Sequence, residues 1–162
     1  MTRKTRVKMI GVISDTHGVL RPEAVKALRG VDLIIHAGDV GRSDILDSLR
    51  QIAPVFAVRG NIDREEWAQA LPLTERVQAG RHLIYVLHDL SQLSLTPEVH
   101  GIAAVISGHS HKPIIEKKRG VLYLNPGSAG PRRFHLPVSV ALIQVAAHSL
   151  EAKIIELKVA DK

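Results

Sequence analysis

Val7-Lys8-Met9-Ile10-Gly11-Val12-Ile13-Ser14-Asp15-Thr16-His17 is the stretch that decides the fold. Residues 7–13 are β-branched and almost wholly apolar, the pattern of a strand covered on both faces, and the run breaks into the polar loop Ser14-Asp15-Thr16-His17-Gly18. The same figure recurs downstream. Val31 to Ala37 runs into Gly38-Asp39, Pro54 to Val58 into Arg59-Gly60-Asn61-Ile62-Asp63, His82 to Leu87 into His88, and Ile102 to Ser107 into Gly108-His109-Ser110-His111. Two short helical stretches separate the first three runs. Pro22 to Arg29 puts Ala24, Ala27 and Leu28 on one side with Gly30 as the stop, and 44–51, with Ser43 as N-cap, repeats Ile45, Leu46, Leu49 and Ile52 at helical spacing. This alternation predicts parallel strands with right-handed crossovers, and in such sheets ligands sit beyond the carboxyl ends of the strands. The polar clusters fall there.

The second half reads differently. After a short helix near 64–70, strands Thr74–Gln78 and His82–Leu87 flank the turn Ala79-Gly80-Arg81, and Lys112–Lys117 and Val121–Leu124 flank Lys118-Arg119-Gly120. Both read as hairpins. Segments 138–146 and 150–158 read as a closing antiparallel pair. The expected architecture is α/β: a four-layer α/β/β/α sandwich of two mixed β-sheets flanked by helices, formed by residues 1–162 as a single domain.

Composition narrows the function. With 45% hydrophobic and 23% charged residues, neither a disordered nor a fibrous chain fits. The absence of cysteine excludes disulfides, thiolate nucleophiles and cysteine-based zinc or iron–sulfur sites, so any metal must use His, Asp, Glu or Asn. The balance of 22 Lys+Arg against 16 Asp+Glu favours anionic partners, phosphates or nucleic acid. Its densest pieces, Arg3, Lys4, Arg6 and Lys8, and Lys117-Lys118-Arg119, are scattered, and 3% aromatic residues leave few platforms on which bases could stack. Nucleic acid is therefore not the favoured partner. Met9 to Ile13 is too short for a signal sequence and no stretch approaches a membrane span, so a cytoplasmic location without membrane attachment is expected, with a homo-oligomer left open.

The chemistry lies at the strand ends. Asp15, His17, Asp39, Asn61, His88, His109 and His111 are seven oxygen or nitrogen donors at the carboxyl ends of five successive apolar strands, and turn chemistry alone does not predict that. Asp15-x-His17 and His109-x-His111 place two side chains on one face if the local backbone is extended. Four histidines, two aspartates and one asparagine suit two borderline divalent ions, Mn²⁺ foremost, with Ni²⁺, Co²⁺, Fe²⁺ or Zn²⁺ also compatible. Two adjacent ions suit in-line hydrolysis of a phosphate ester.

Asp15-Thr16-His17, Gly38-Asp39, Gly60-Asn61-Ile62-Asp63, His88, Gly108-His109-Ser110-His111 and Asn125-Pro126-Gly127-Ser128 stand in the order in which the calcineurin-like metallophosphoesterases carry their motifs. The chain resembles that family, and within it the small cap-less phosphodiesterases of bacteria and archaea. The resemblance implies a metallophosphoesterase-like fold and a phosphodiesterase acting on small phosphodiesters through a hydroxide bridging two metals. It implies that Asp15, His17 and His111 hold one metal, that Asn61, His88 and His109 hold the other, that Asp39 bridges them, and that Asn61 also touches the substrate phosphate. Ser128 would donate to an oxyanion, His36 would orient a ligand from behind, and Arg59, Arg132 and Arg133 would attract phosphate. A nuclease with the same metal chemistry is the nearest alternative, and a non-catalytic scaffold subunit of the retromer coat shares the fold. Two positions depart from the pattern. Ile62 stands where larger members carry a proton-donating His, and His88-Asp89-Leu90 stands where the family has His-Gly-His.

Overall fold

The structure, a computed structural model, describes residues 7–159. Arg3, Lys4 and Arg6 lie outside the described residues. The first sheet takes β1 (Met9–Ile13), β2 (Leu33–His36) and β3 (Val55–Ala57) as parallel neighbours, joined through α1 (Pro22–Ala27) and α2 (Ser43–Arg50). The expected closing pair, β9 (Ser139–Val145) and β10 (Leu150–Glu156), completes this sheet: β9 runs antiparallel to β1 and β10 antiparallel to β9, in the order β10-β9-β1-β2-β3. The second sheet has the order β4-β5-β6-β8-β7, from β4 (Thr74–Ala79), β5 (His82–Leu87), β6 (Ile102–Ile106), β7 (Ile114–Lys118) and β8 (Val121–Asn125). Its hairpins β4-β5 and β7-β8 are antiparallel, while β5-β6 and β6-β8 are parallel. Both sheets are mixed.

Alternation along the strands sorts the side chains into layers. Ile10, Val12 and Ile35 of the first sheet meet Ile84, Val86, Ile106 and Leu124 of the second in one buried cluster, where each fully buried aliphatic side chain contributes about 1.5–3 kcal/mol. Ile13 and Ile34 point to the opposite face and pack with Leu28, Ile45, Leu46 and Leu49 of the helical layer. The fourth layer is thinner than expected. Over Tyr85, Ile102 and Val105 lie Leu93 and Leu95, in a segment holding only the short 3-10 turns Leu90–Gln92 and Pro97–His100.

Local boundaries have local causes. The stretch expected as a helix at 64–70 is a 3-10 turn, Glu66–Ala70, and Leu71 after it is extended because Pro72 disfavours the helical conformation there. Ser43 is the first helical residue of α2, not its N-cap: Arg42 occupies the cap position, extended and without a side-chain cap. In the β4-β5 hairpin Gly80 takes φ 60 at the first of two loop positions; in β7-β8 both Arg119 and Gly120 have positive φ, the arrangement that matches strand twist. No helix among the described residues is long and apolar enough to cross a membrane.

Candidate metal centre

The loops that follow the parallel strands of both sheets meet at one end of the molecule. Asp15 N–H donates to the Gly38 carbonyl, His17 N–H to Asp39 and Gly18 N–H to Val40, so the loops after β1 and β2 remain bonded beyond the strands. Ala129 N–H reaches Ser14 and Gly108 N–H reaches His88, which joins the second sheet to the same cluster. Seven non-glycine residues among those described have positive φ, and five of them are Asp15 (56°), His17 (47°), Asp39 (57°), His109 (73°) and His111 (65°). The extended backbone expected for Asp15-x-His17 and His109-x-His111 is therefore corrected. Their side chains still converge, because a left-handed residue turns the chain sharply as it leaves the strand. Asp and His are among the side chains that tolerate this region best.

All seven expected donors come together. Asp15 Oδ1 lies 3.3 Å from His111 Nε2, 3.6 Å from His17 Nε2 and 3.9 Å from His88 Nε2. Asp39 Oδ2 lies 3.3 Å from His88 Nε2 and 3.5 Å from His17 Nε2. His109 Nδ1 is 3.2 Å from Asn61 Oδ1 and 3.3 Å from His88 Nε2. Asp15, Asp39, His88 and His111 form a buried floor, and Asn61 and His109 an exposed rim. Each carboxylate has one oxygen anchored and one facing the imidazoles: Asp15 Oδ2 accepts from the Ser14 hydroxyl at 2.6 Å and from His109 N–H at 3.0 Å, and Asp39 Oδ1 accepts from Ile62 N–H at 3.0 Å. The outer nitrogen of His88 lies 2.7 Å from the Ala37 carbonyl, to which it can donate only as N–H, so Nε2 is left as the ligating atom.

The residues present fit divalent cations. Asp15 Oδ1 and His17 Nε2, which face each other across the floor, are buried with no hydrogen-bond partner, a costly state for polar atoms in protein surroundings alone. Asp15, His17 and His111 form one group with metal-binding spacing, and Asp15, Asp39 and His88 a second. Burial opposes ionisation of Asp15, yet His111, His17, the Ser14 hydroxyl and His88 hold its carboxyl well below the usual carboxylate range. Asp39 is shifted the same way, burial being outweighed by His88 and the Ile62 N–H. His88 is raised, because the Asp39 and Asp15 carboxylates outweigh its burial. The floor is a negative pocket lined by nitrogen and oxygen donors without a thiolate, as borderline divalent ions require.

Backbone approach and hidden hydrogen bonds hold this arrangement. A Cβ at Gly108 would collide with Ser14 Oγ and lie 2.6 Å from Asp15 Oδ2, and one at Gly60 would collide with Asp39 N and Oδ1. Only glycine fits at either place. Asp63, to which the sequence reading gave no role, is buried and accepts from the backbone N–H groups of Val40, Gly41 and Gly60, tying the loop after β2 to the loop after β3. Its signal was its place in the Gly60-Asn61-Ile62-Asp63 motif. Asn125 donates to the Gly108 carbonyl and the Ser110 hydroxyl and accepts from Gly127 N–H, so it braces the loop that carries His109.

Ser128 is buried and its hydroxyl donates to the Asp15 carbonyl at 3.1 Å, so the expectation that it donates to an oxyanion is corrected: its proton is engaged in holding the Asp15 backbone. His36 is fully buried behind the floor, between Thr16 and Gly38. Arg59 lines a cleft of about 300 Å³ together with Asn61, Leu73, Leu87, Asp89 and His109, and one of its terminal nitrogens donates to Gln69. Arg132 and Arg133 are exposed and are not among the residues that line that cleft. Ile62 is 41% exposed beside the rim.

The chain is similar to known proteins in sequence and in fold. Residues 9–148 match the calcineurin-like phosphoesterase superfamily domain. The chain is 39% identical to a probable metallophosphoesterase of Methanocaldococcus jannaschii over 93% of its own length and 82% of the relative's, and 38% identical to a probable metallophosphoesterase of Methanothermobacter thermautotrophicus over 91% of each. Among solved structures it resembles an archaeal phosphodiesterase, with TM-score 0.75, 22% identity and coverage of 91% of this chain and 99% of that one. It also resembles Vps29 of Entamoeba histolytica complexed with zinc, with TM-score 0.73, 21% identity and coverage of 91% and 98%. At these identities the structural likenesses establish the fold.

Proposed function

The chain belongs to the calcineurin-like phosphoesterase superfamily, and from that premise we propose that it is a phosphodiesterase of the cytoplasm, hydrolysing small phosphodiesters with two divalent ions, manganese first among them. Asp15, His17 and His111 would hold one ion and Asn61, His88 and His109 the other, with Asp39 serving both. Bound there, such ions supply a water of lowered pKa and positive charge for the phosphoryl oxygens. One observation carries the reading: two buried carboxylates, each with one oxygen facing a ring of imidazoles, on loops held in left-handed conformation.

The chain's own groups supply the remainder. Asn61 turns Oδ1 towards His109, which leaves its amide hydrogens to donate to a phosphate oxygen. Arg59 adds a cation in the adjoining cleft. Ile62 offers no proton to a departing oxygen, and this favours a diester with a good leaving group over an alkyl monoester. The likeness to Vps29 favours a second reading, a scaffold that makes protein contacts through the same fold. That likeness includes a zinc complex, so metal content alone does not separate the readings.

Hydrolysis does. Metal-free protein is reloaded with Mn²⁺, Ni²⁺, Co²⁺ or Zn²⁺, ion content is measured, and turnover of an aryl diester, an aryl monoester and a single-stranded oligonucleotide is compared. Two ions per chain with preference for the small diester supports the proposal. Two ions without turnover of any ester supports the scaffold, and preference for the oligonucleotide with steep salt dependence supports a nuclease.

A further inference from the structure

We infer that Asp89 is a positioning residue for His109, a carboxylate that strengthens the hold of the outer half of the centre on its ion. The inference rests on the reading of His109 as a ligand given above. His109 turns Nδ1 inward, towards Asn61 Oδ1 and His88 Nε2, and Nε2 outward, 3.8 Å from Asp89 Oδ2. Asp89 is itself fixed. Its Oδ1 accepts from the Ser91 N–H at 3.0 Å and from the Ser91 hydroxyl at 2.9 Å, at the start of the 3-10 turn Leu90–Gln92, and this leaves Oδ2 for His109. The Ser91 N–H and hydroxyl, the Asp89 carboxylate and the His109 imidazole thus connect in sequence to the centre.

An imidazole that offers Nδ1 to a cation must carry its proton on Nε2. A carboxylate opposite that proton selects the tautomer, restrains the ring and makes Nδ1 a better donor. His88 receives such a restraint as a hydrogen bond, from the Ala37 carbonyl at 2.7 Å, whereas Asp89 acts on His109 through its charge across 3.8 Å. His109 needs it more, because its side chain is 47% exposed, with an edge-on contact to the His88 ring at 5.1 Å between centroids. The position where the family pattern has glycine thus carries a group with work to do. Asp89 and His109 both line two neighbouring clefts, of about 300 and 240 Å³.

The test is calorimetric titration of metal-free wild type, Asp89→Asn and Asp89→Ala with Mn²⁺, alongside thermal unfolding. Wild type should take two ions. Asp89→Ala should bind one of them about 10–100-fold more weakly while the other is unchanged. Asp89→Asn, which keeps an acceptor but loses the charge, should fall between. Unchanged affinities in a wild-type background of two ions would overturn this inference alone. Equal weakening of both ions, or weakening that follows loss of thermal stability rather than the order Ala below Asn below Asp, would also overturn it. Fewer than two ions in wild type would overturn the reading of the centre and this inference with it.

Discussion

His36 Nε2 lies 3.0 Å from the Thr16 hydroxyl, and that hydroxyl donates to the Val40 carbonyl at 2.7 Å. On its other side His36 Nδ1 accepts from Gly38 N–H at 3.1 Å, so the proton of the neutral ring sits on Nε2 and every polar atom of the ring is matched. The ring joins the Asp15-Thr16-His17 loop to the Gly38-Asp39 loop without touching either carboxylate.

A pH dependence of stability follows. Burial lowers the His36 pKa to about 4, against the pull of the Asp15, Asp63 and Asp39 carboxylates and with the push of His88. Above about pH 6.5 the ring is neutral in folded and unfolded chains alike. As pH falls from there towards 4 the unfolded chain takes up a proton that the folded chain refuses, and about 3 kcal/mol of stability is lost. Denaturant unfolding of metal-free protein should show this slope. His36→Gln, which does not titrate, should flatten it, and an identical slope in both proteins would refute the assignment.

Asp39→Ala should lose both ions and lower turnover of an aryl diester by at least about 10²-fold, because the Asp39 carboxylate faces both His17 and His88. His111→Ala touches only the Asp15 side and should weaken one ion preferentially. Ion content and kcat measured together check both, and wild-type metal content in Asp39→Ala would remove Asp39 from the bridging place.

Ile62→His should raise turnover of an alkyl phosphate monoester relative to an aryl diester. A positioned general acid is worth about 10²–10⁴-fold, and a partial gain of about tenfold is expected from a site not shaped around it. The backbone of residue 62 is already tied to Asp39, so the new ring starts beside the centre. Equal metal loading with no relative gain would show that position 62 does not set leaving-group preference.

Gly108→Ala should destabilise the protein by about 1–3 kcal/mol and weaken metal binding, since the added methyl collides with Ser14 Oγ beside Asp15. Chemical unfolding with and without Mn²⁺ checks it. A variant as stable as wild type that binds both ions would mean that the loop gives way freely.

Much of the fold was legible because the buried strands announce themselves: β1, β2 and β6 are apolar runs with abrupt polar ends, and the donors stand at those ends. Partner choice was less so. Nothing local in β9 says that it lies against β1, since that pairing depends on which edge remains open once β2 and β3 are in place. The donors were legible by residue type, whereas the backbone that aims them was not, because the left-handed turns at Asp15 and Asp39 are held by hydrogen bonds between loops distant in sequence. Ser128 shows the same limit. A hydroxyl near a site reads alike whether it faces substrate or a carbonyl behind the ligand, and only the 113-residue contact to Asp15 decides.

The five left-handed donors also place durability and chemistry in opposition. A non-glycine residue in that region costs about 1 kcal/mol, so together they withhold on the order of 5 kcal/mol, comparable with the whole net stability of a small domain. Glycine would occupy each position without strain. His109→Gly should therefore lift the backbone strain at that position in the metal-free protein, against glycine's entropic cost, while abolishing the outer half of the centre. A descendant of this chain released from hydrolysis would have a thermodynamic incentive to let its ligands go, and those at left-handed positions would be the first to drift to glycine.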